Sequence, residues 1–178
     1  MDAGKYFRCV AVEDRAADEK EQAFSSSSIA VIVALIAWGR ALSQRGALVR
    51  DDAEVFNLYD SENEEGDSVI ESNLADASKL FLAAAEKHRA AIEKCALAEE
   101  DESNKHLVQS RRIEAYCRWG EALESAAECE FMLRSDKERE LWMAASGAYG
   151  ESERLGEESG AATAGIERCE AKLDDDTA

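Results

Sequence analysis

The chain contains no proline in its 178 residues. At the average usage of about 5%, a protein of this length would carry several. Proline is excluded from helix interiors and is common in the turns of β proteins, so its absence argues against a turn-rich β fold. Alanine, glutamate and leucine, which are strong helix formers, are abundant. The composition therefore predicts an all-α protein.

Basic residues are also scarce: 21 Lys and Arg stand against 39 Asp and Glu, which gives a formal net charge of −18. Nucleic acid and anionic membranes would both be repelled by such a surface, so we expect neither as a partner. The partner that this charge favours is another protein with a basic segment. A solvated acidic surface that binds nothing is the alternative.

Catalytic and metal-binding patterns are missing. No phosphate-binding glycine loop, zinc-protease helix or nucleophile elbow occurs. Around Gly66, neither register of a calcium loop places both the required glycine and the bidentate glutamate. His88 and His106 fall on different predicted helices, and a catalytic pair of either with Cys95 or Cys117 is the alternative. We expect a protein that is not an enzyme and has no cofactor or metal.

The cysteines are odd in number and form no Cys-x-x-Cys pair. They are Cys9, Cys95, Cys117, Cys129 and Cys169. This pattern is typical of buried thiols in a reducing compartment. Residues 1–20 have no signal-peptide pattern, so we expect the cytoplasm, or an organelle such as a plastid if a presequence has been removed.

Three regions are predicted. Residues 1–28 are a helical extension, with a helix over about 10–24. Residues 29–156 are the main helical domain, which carries an acidic inserted loop at 51–68. Residues 157–178 hold a weak helix over about 161–173 and an acidic tail.

Helix boundaries within the main domain follow from apolar runs, glycines and capping signals. Residues 29–38 are unbroken apolar and predict a buried helix that ends near Gly46; attachment to a membrane through this run is the alternative. The capping-box spacing Ser68/Glu71 predicts a helix start near 69, and the spacing Ser135/Glu138 predicts the start of another helix, which ends near Gly156. A further helix is expected over about 104–133.

An internal match joins two of these helices. Residues 34–42 read Ala-Leu-Ile-Ala-Trp-Gly-Arg-Ala-Leu, and residues 115–123 read Ala-Tyr-Cys-Arg-Trp-Gly-Glu-Ala-Leu. A glycine inside a helix costs about 1 kcal/mol against alanine, so its recurrence at Gly39 and Gly120 predicts close helix contacts there. On the following helices, Ala77 with Phe81 and Ala145 with Tyr149 have a spacing of four, which places each pair on one face.

These residues resemble the tetratricopeptide repeat. The first-helix pattern of that family is filled by Leu35, Trp38, Gly39 and Leu42, and again by Tyr116, Trp119, Gly120 and Leu123. The second-helix pattern is matched by Ala77, Phe81 and Ala84, and more loosely by Ala145, Tyr149 and Ser152. The closing proline is missing, and the distances from glycine to the second-helix alanine are longer than in the family. An unrelated helical bundle is the alternative.

The resemblance implies antiparallel helical hairpins stacked as a short superhelix or bundle. It also implies binding of a partner segment, as a subunit or assembly factor of a larger complex. The Trp-Gly-x-Ala-Leu form with an acidic insertion is similar to divergent repeat proteins of plant and algal organelles. The residues expected to contact a partner, on exposure and charge, are Arg40, Arg118, Glu62, Glu64, Glu65 and Asp67.

Overall fold

The computed structural model describes residues 28–59, 64–98, 105–156 and 160–175. Within these ranges there are five helices and no strand, so the predicted all-α class is confirmed. The helices are α1 (Ser28–Tyr59), α2 (Glu64–Ala98), α3 (Lys105–Met132), α4 (Glu138–Leu155) and α5 (Gly160–Asp175). The helix predicted over 10–24 lies outside the described residues.

Each helix packs against the next one along the chain, and neighbouring helices run antiparallel. Smaller contacts join α1 to α3 and α3 to α5, whereas no Cα atoms of α2 and α4 lie within 8 Å of each other in the described part of the chain. Helices α1, α3 and α5 therefore form one row, and α2 and α4 lie on its other side. We call the first set the odd-helix row.

The first helix is longer than the sequence predicted. It does not end near Gly46, because Gly46 lies against the Phe81 ring, where an added methyl would come within 3.0 Å. The predicted loop 51–68 is also wrong in extent, since 51–59 continue α1 and 64–68 begin α2. Burial of Ala53 holds the extended helix in place, as does a hydrogen bond from Arg50 Nη1 to Glu128 Oε2 at 2.6 Å.

The other boundaries agree more closely with expectation. Helices α3 and α5 match their predicted ranges to within two residues, and α4 ends at Leu155, one residue before Gly156. Helix α4 begins at Glu138, but no capping side-chain hydrogen bond forms and Lys137 occupies the N-cap position. Helix α2 begins five residues earlier than the spacing of Ser68 and Glu71 predicted.

The turn from α3 to α4 is closed by Arg134, which adopts a left-handed backbone with φ of 55°. The Ser135 amide donates to the Glu130 carbonyl at 2.9 Å, the bond that defines a Schellman helix end. The Ser78 hydroxyl donates to the Glu130 carboxylate at 2.6 Å and so links α2 to this turn. Burial would raise the pKa of Glu130, but the hydrogen bonds from Ser78 and Ser135 outweigh it and lower the pKa.

The core is built mostly from small side chains, which let the helix axes approach closely. Its largest cluster lies where α2, α3, α4 and α5 meet. The buried members are Ala84, Ala85, Ala122, Leu123, Ala127, Trp142, Ala145, Tyr149, Ala162 and Cys169. Helix α5 therefore belongs to the same bundle as the main domain.

Candidate functional site

The two Trp-Gly motifs make the same kind of contact in the two hairpins. In the first hairpin Gly39 of α1 lies against the imidazole of His88 on α2, and a methyl added at Gly39 would be 2.5 Å from His88 Cε1. In the second hairpin Gly120 of α3 lies against the Tyr149 ring on α4, with an added methyl 2.8 Å from Cδ1. Each glycine thus provides the space for a buried ring of the following helix, as its placement inside a helix predicted.

His88 lies among charged side chains from both neighbouring helices. It is 1% exposed. Burial is the main cause that lowers its pKa to about 4; Arg118 on α3 and Arg40 on α1 lower it further, while Glu114 opposes them. The imidazole is therefore neutral at pH 7. Its Nδ1 is buried and has no hydrogen-bond partner within the described ranges.

Tyr149 occupies in the second hairpin the place that His88 has in the first, but its hydroxyl group has a hydrogen-bond partner. The hydroxyl donates to Glu124 Oε2 at 2.6 Å. Burial, together with this carboxylate, raises the pKa of Tyr149 well above its usual value. Arg168 of α5 donates to the same carboxylate through Nε and, at 2.8 Å, through Nη2. Gly165 of α5 touches the far side of the ring, so Tyr149 is held between two glycines.

The Glu124 carboxylate thereby joins α3, α4 and α5. Glu124 is 8% exposed, and a buried carboxylate is stable only when it is paired and hydrogen-bonded. The tyrosine hydroxyl and the Arg168 guanidinium supply these partners. This network attaches the last helix to the second hairpin.

The contacts show that the residues of α2 that correspond to those of α4 differ from the ones that the sequence match predicted. Phe81 was expected to correspond to Tyr149, but Phe81 lies against Gly46, and His88 is the residue opposite the Trp-Gly glycine. The equivalent triplets are therefore Ala84, His88 and Ala91 on α2, and Ala145, Tyr149 and Ser152 on α4, all of which are buried. In both helices a small residue is followed four positions later by a ring side chain and three positions after that by another small residue. The sequence pattern required an aromatic residue at the ring position and therefore did not include His88.

Two of the predicted partner-binding residues lie within electrostatic range of His88. Arg40 and Arg118 approach His88 from α1 and α3 respectively. Arg118 is half-exposed and donates to Glu121 at 2.6 Å. The predicted acidic contacts are not brought to this place by any described contact. Glu62 lies outside the described residues, and for Glu64, Glu65 and Asp67 only the helical backbone at the start of α2 is described.

Three arginine–glutamate pairs follow the odd-helix row. Arg111 donates to Glu114 at 2.7 Å and Arg118 to Glu121 at 2.6 Å, both within α3. Arg168 on α5 reaches Glu124, as described above. The row therefore carries alternating charges that can exchange partners, and it carries them on helices that also contact one another.

Two cysteine thiols of the bundle have raised pKa values. Burial raises the pKa of Cys117, and burial together with Glu124 raises the pKa of Cys169 to about 11, so neither thiol ionises readily at pH 7. Among the described residues, no group of three or more His, Cys, Asp and Glu side chains could hold a metal ion.

No family model, curated protein or solved structure matches this chain. One described helical stretch, Ile29–Ala53, is long and apolar enough to cross a membrane by length and composition, and 22% of its most apolar 18-residue window is buried in the bundle.

Proposed function

We propose that this protein is a non-catalytic interaction module that binds a segment of a partner protein along the odd-helix row, as a subunit or assembly factor of a larger complex. The observation that carries the proposal is the repeated glycine–ring contact in two successive hairpins. It is combined with a close backbone approach of α1 to α3 and of α3 to α5, and with no Cα approach within 8 Å between α2 and α4 in the described ranges. Stacked hairpins of the tetratricopeptide kind have this arrangement, in which one helix of each pair lines an extended binding surface.

The arginine–glutamate pairs of α3 are weak enough for their glutamates to bind basic residues of a partner instead. The side chains of Arg118 and Glu121 are 39% and 42% exposed, and pairs of this kind are worth only about 0–1 kcal/mol. The same holds for Arg111 and Glu114, whose side chains are 39% and 28% exposed. A partner's lysine or arginine can therefore take a glutamate from either pair at little cost in folding stability.

The net charge points to the chemistry of that partner. A formal charge of −18 attracts a basic segment over long range and raises its association rate, an effect that salt screens. Glu114 and Glu121 lie seven residues, or about two helical turns, apart on α3 and so share one face, and a basic segment lying along the helix meets both. We accordingly expect a partner segment with at least two basic residues.

The experiment is affinity purification of the tagged full chain from its native source, at low and at high salt, with quantitative mass spectrometry. A stoichiometric partner with a basic segment, lost at high salt, is the expected result. The decisive variant is Glu114→Gln with Glu121→Gln, and its control is Glu86→Gln with Glu93→Gln, two exposed glutamates of α2. Both variants change the net charge equally.

Loss of the partner in the α3 variant alone supports binding at the odd-helix row. Equal loss in both variants shows that net charge alone attracts the partner and contradicts the proposed site. A monomer without any stoichiometric partner at either salt concentration contradicts the proposed function.

A second candidate is a membrane-attached protein that uses α1, because little of the apolar stretch Ile29–Ala53 is buried. Arg40 and Arg45 lie near the middle of that stretch, and each would cost about 2.5–3.5 kcal/mol at the centre of a bilayer. Flotation of the protein with zwitterionic vesicles tests this function, and recovery of all the protein in the lipid-free fraction contradicts it.

A further inference from the structure

The two ends of the odd-helix row differ in character. At one end, the exposed face of α1 carries Val33, Ala37, Arg40, Gln44 and Leu48, which follow one another at helical spacing along a single stripe. Val33 is 41% exposed and Leu48 is 51% exposed. We call these five residues the α1 stripe. Residues 28–50 contain three arginines and no acidic residue, in a chain that is strongly acidic elsewhere.

At the other end, the exposed residues of α5 are mainly charged. They are Glu167, Arg168, Glu170, Lys172 and Asp174, with Gly160, Ala161 and Ala171. Stacks of helical hairpins need end elements with a polar outer face, and α5 has one. Helix α1 does not, since its stripe presents two large apolar side chains and an arginine. The α1 end of the bundle is therefore built to be covered.

We propose that the α1 stripe is the docking site for the chain's own residues 10–24, which pack on it as an acidic amphipathic helix and cap the bundle. This segment joins α1 directly through the serines at 25–28, which keeps it at high effective concentration. The proposal goes beyond the proposed function, because it concerns the exposed stripe of α1 and not the charged pairs of α3.

The segment 10–24 matches the α1 stripe in both length and charge. From Val33 to Leu48 the stripe spans about 22 Å at 1.5 Å per residue, which is the length of a helix over 10–24. Within 10–24 the small and apolar residues recur at a spacing of seven, with Val10, Ala17 and Phe24 in one series and Ala16 with Ala23 beside it. The segment holds five acidic residues and two basic ones. Arg40 has no ion pair in the described part of the chain and is available to them.

Other occupants fit less well. A second copy related by a twofold axis at the middle of the stripe would bring two Arg40 side chains together between chains that each carry −18. A membrane would have to accept that same arginine and approach an acidic protein. The chain's own segment has neither difficulty.

The test is limited trypsin digestion of the full chain, with mass spectrometry to follow cleavage after Arg15 and Lys20. We expect both bonds to be cut at least about tenfold more slowly than in a synthetic peptide of residues 1–27, because proteolysis follows the population of the open form. Changing Val33→Asp with Leu48→Asp should restore fast cleavage. The control is Leu97→Asp with Met143→Asp, since these side chains are 73% and 59% exposed on α2 and α4.

Equal cleavage rates in the wild-type chain and the free peptide would overturn the proposal, and that comparison needs no variant to fold. Protection that persists in the Val33→Asp, Leu48→Asp chain would also overturn it. A dimer in sedimentation equilibrium that this variant dissociates would assign the stripe to a second copy instead. Binding of wild-type protein to zwitterionic vesicles, lost in the same variant, would assign the stripe to lipid.

Discussion

A methyl group at Gly120 tests the glycine–ring contact most directly. In Gly120→Ala the new carbon would lie 2.8 Å from Cδ1 and from Cε1 of Tyr149, well inside van der Waals contact. The ring has no direction in which to retreat. Gly165 already touches its opposite face, where an added methyl would be 2.5 Å away, and the hydroxyl is fixed on Glu124.

Three terms set the magnitude. Alanine gains about 1 kcal/mol over glycine in helix propensity. Overpacking of a filled core costs about 1–3 kcal/mol. If the ring moves enough to lose its hydrogen bond to the carboxylate, a further 1.5–3 kcal/mol or so is lost. We expect Gly120→Ala to lower the free energy of unfolding by about 0–2 kcal/mol if the hydrogen bond survives, and by about 1.5–5 kcal/mol if it is lost.

Gly147→Ala is the matched control, because Gly147 is an exposed helical glycine of α4 with no atom within 4 Å of an added methyl. This substitution gains the higher helix propensity of alanine without any steric clash, so it should stabilise the protein by about 0.5–1 kcal/mol. Urea unfolding followed by circular dichroism at 222 nm measures both variants, and unchanged m values are required for the comparison. If the two substitutions shift the urea midpoint in the same direction by similar amounts, the contact does not restrict the ring and the reasoning is refuted.

Three further predictions follow from individual residues. Replacing the left-handed Arg134 with glycine should raise the urea midpoint, by about 0.5–1 kcal/mol in free energy, since Arg134 is exposed and only its backbone is strained. His88 should titrate near pH 4 by NMR in a His106→Gln background. Because the unfolded chain takes up this proton near pH 6.5 and the folded chain does not, stability should fall by up to about 3 kcal/mol between pH 6.5 and 4, and His88→Leu should remove that loss; an NMR midpoint near 6.5 would contradict it. Cys169, with its pKa raised to about 11, should react with a disulfide reagent at pH 8 about a hundredfold more slowly than an ordinary thiol, and urea should abolish the difference.

The sequence predicted the helices where local signals and tertiary packing agree. The absence of proline agrees with the five helices of the described residues, and Gly156 agrees with the end of α4 at Leu155. The loop over 51–68 was wrong because acidic composition is typical of loops, while aspartate and glutamate remain compatible with a helix. Burial of Ala53 and the Arg50–Glu128 pair, which no local pattern shows, decide in favour of the helix.

The glycine–ring contacts were only half predictable. Gly39 and Gly120 stand out because a helical glycine without a packing role is costly, and their contacts confirm that reason. Gly165 is equally important to Tyr149 but lies in a short Ala-Gly stretch with no motif around it. The pairing of Glu124 with Arg168 is 44 residues apart in sequence, and in a chain with 39 acidic residues no spacing rule singles it out.

The two hairpins use one contact with different chemistry, and the difference bears on which end of the bundle is weaker. In the second hairpin the ring is a tyrosine whose hydroxyl, with Glu124 and Arg168, forms a satisfied network that holds α5 in place. In the first hairpin the ring is a histidine with a buried, unpartnered Nδ1 within the described ranges, and an orphan polar atom of this kind costs about 1–3 kcal/mol. The same end of the bundle exposes the apolar α1 stripe. A segment that covers α1 would therefore stabilise the hairpin that carries this unpartnered ring nitrogen. Amide exchange should accordingly show lower protection in α1 than in α3 when the stripe carries Val33→Asp and Leu48→Asp, because local stability follows how well each helix is covered.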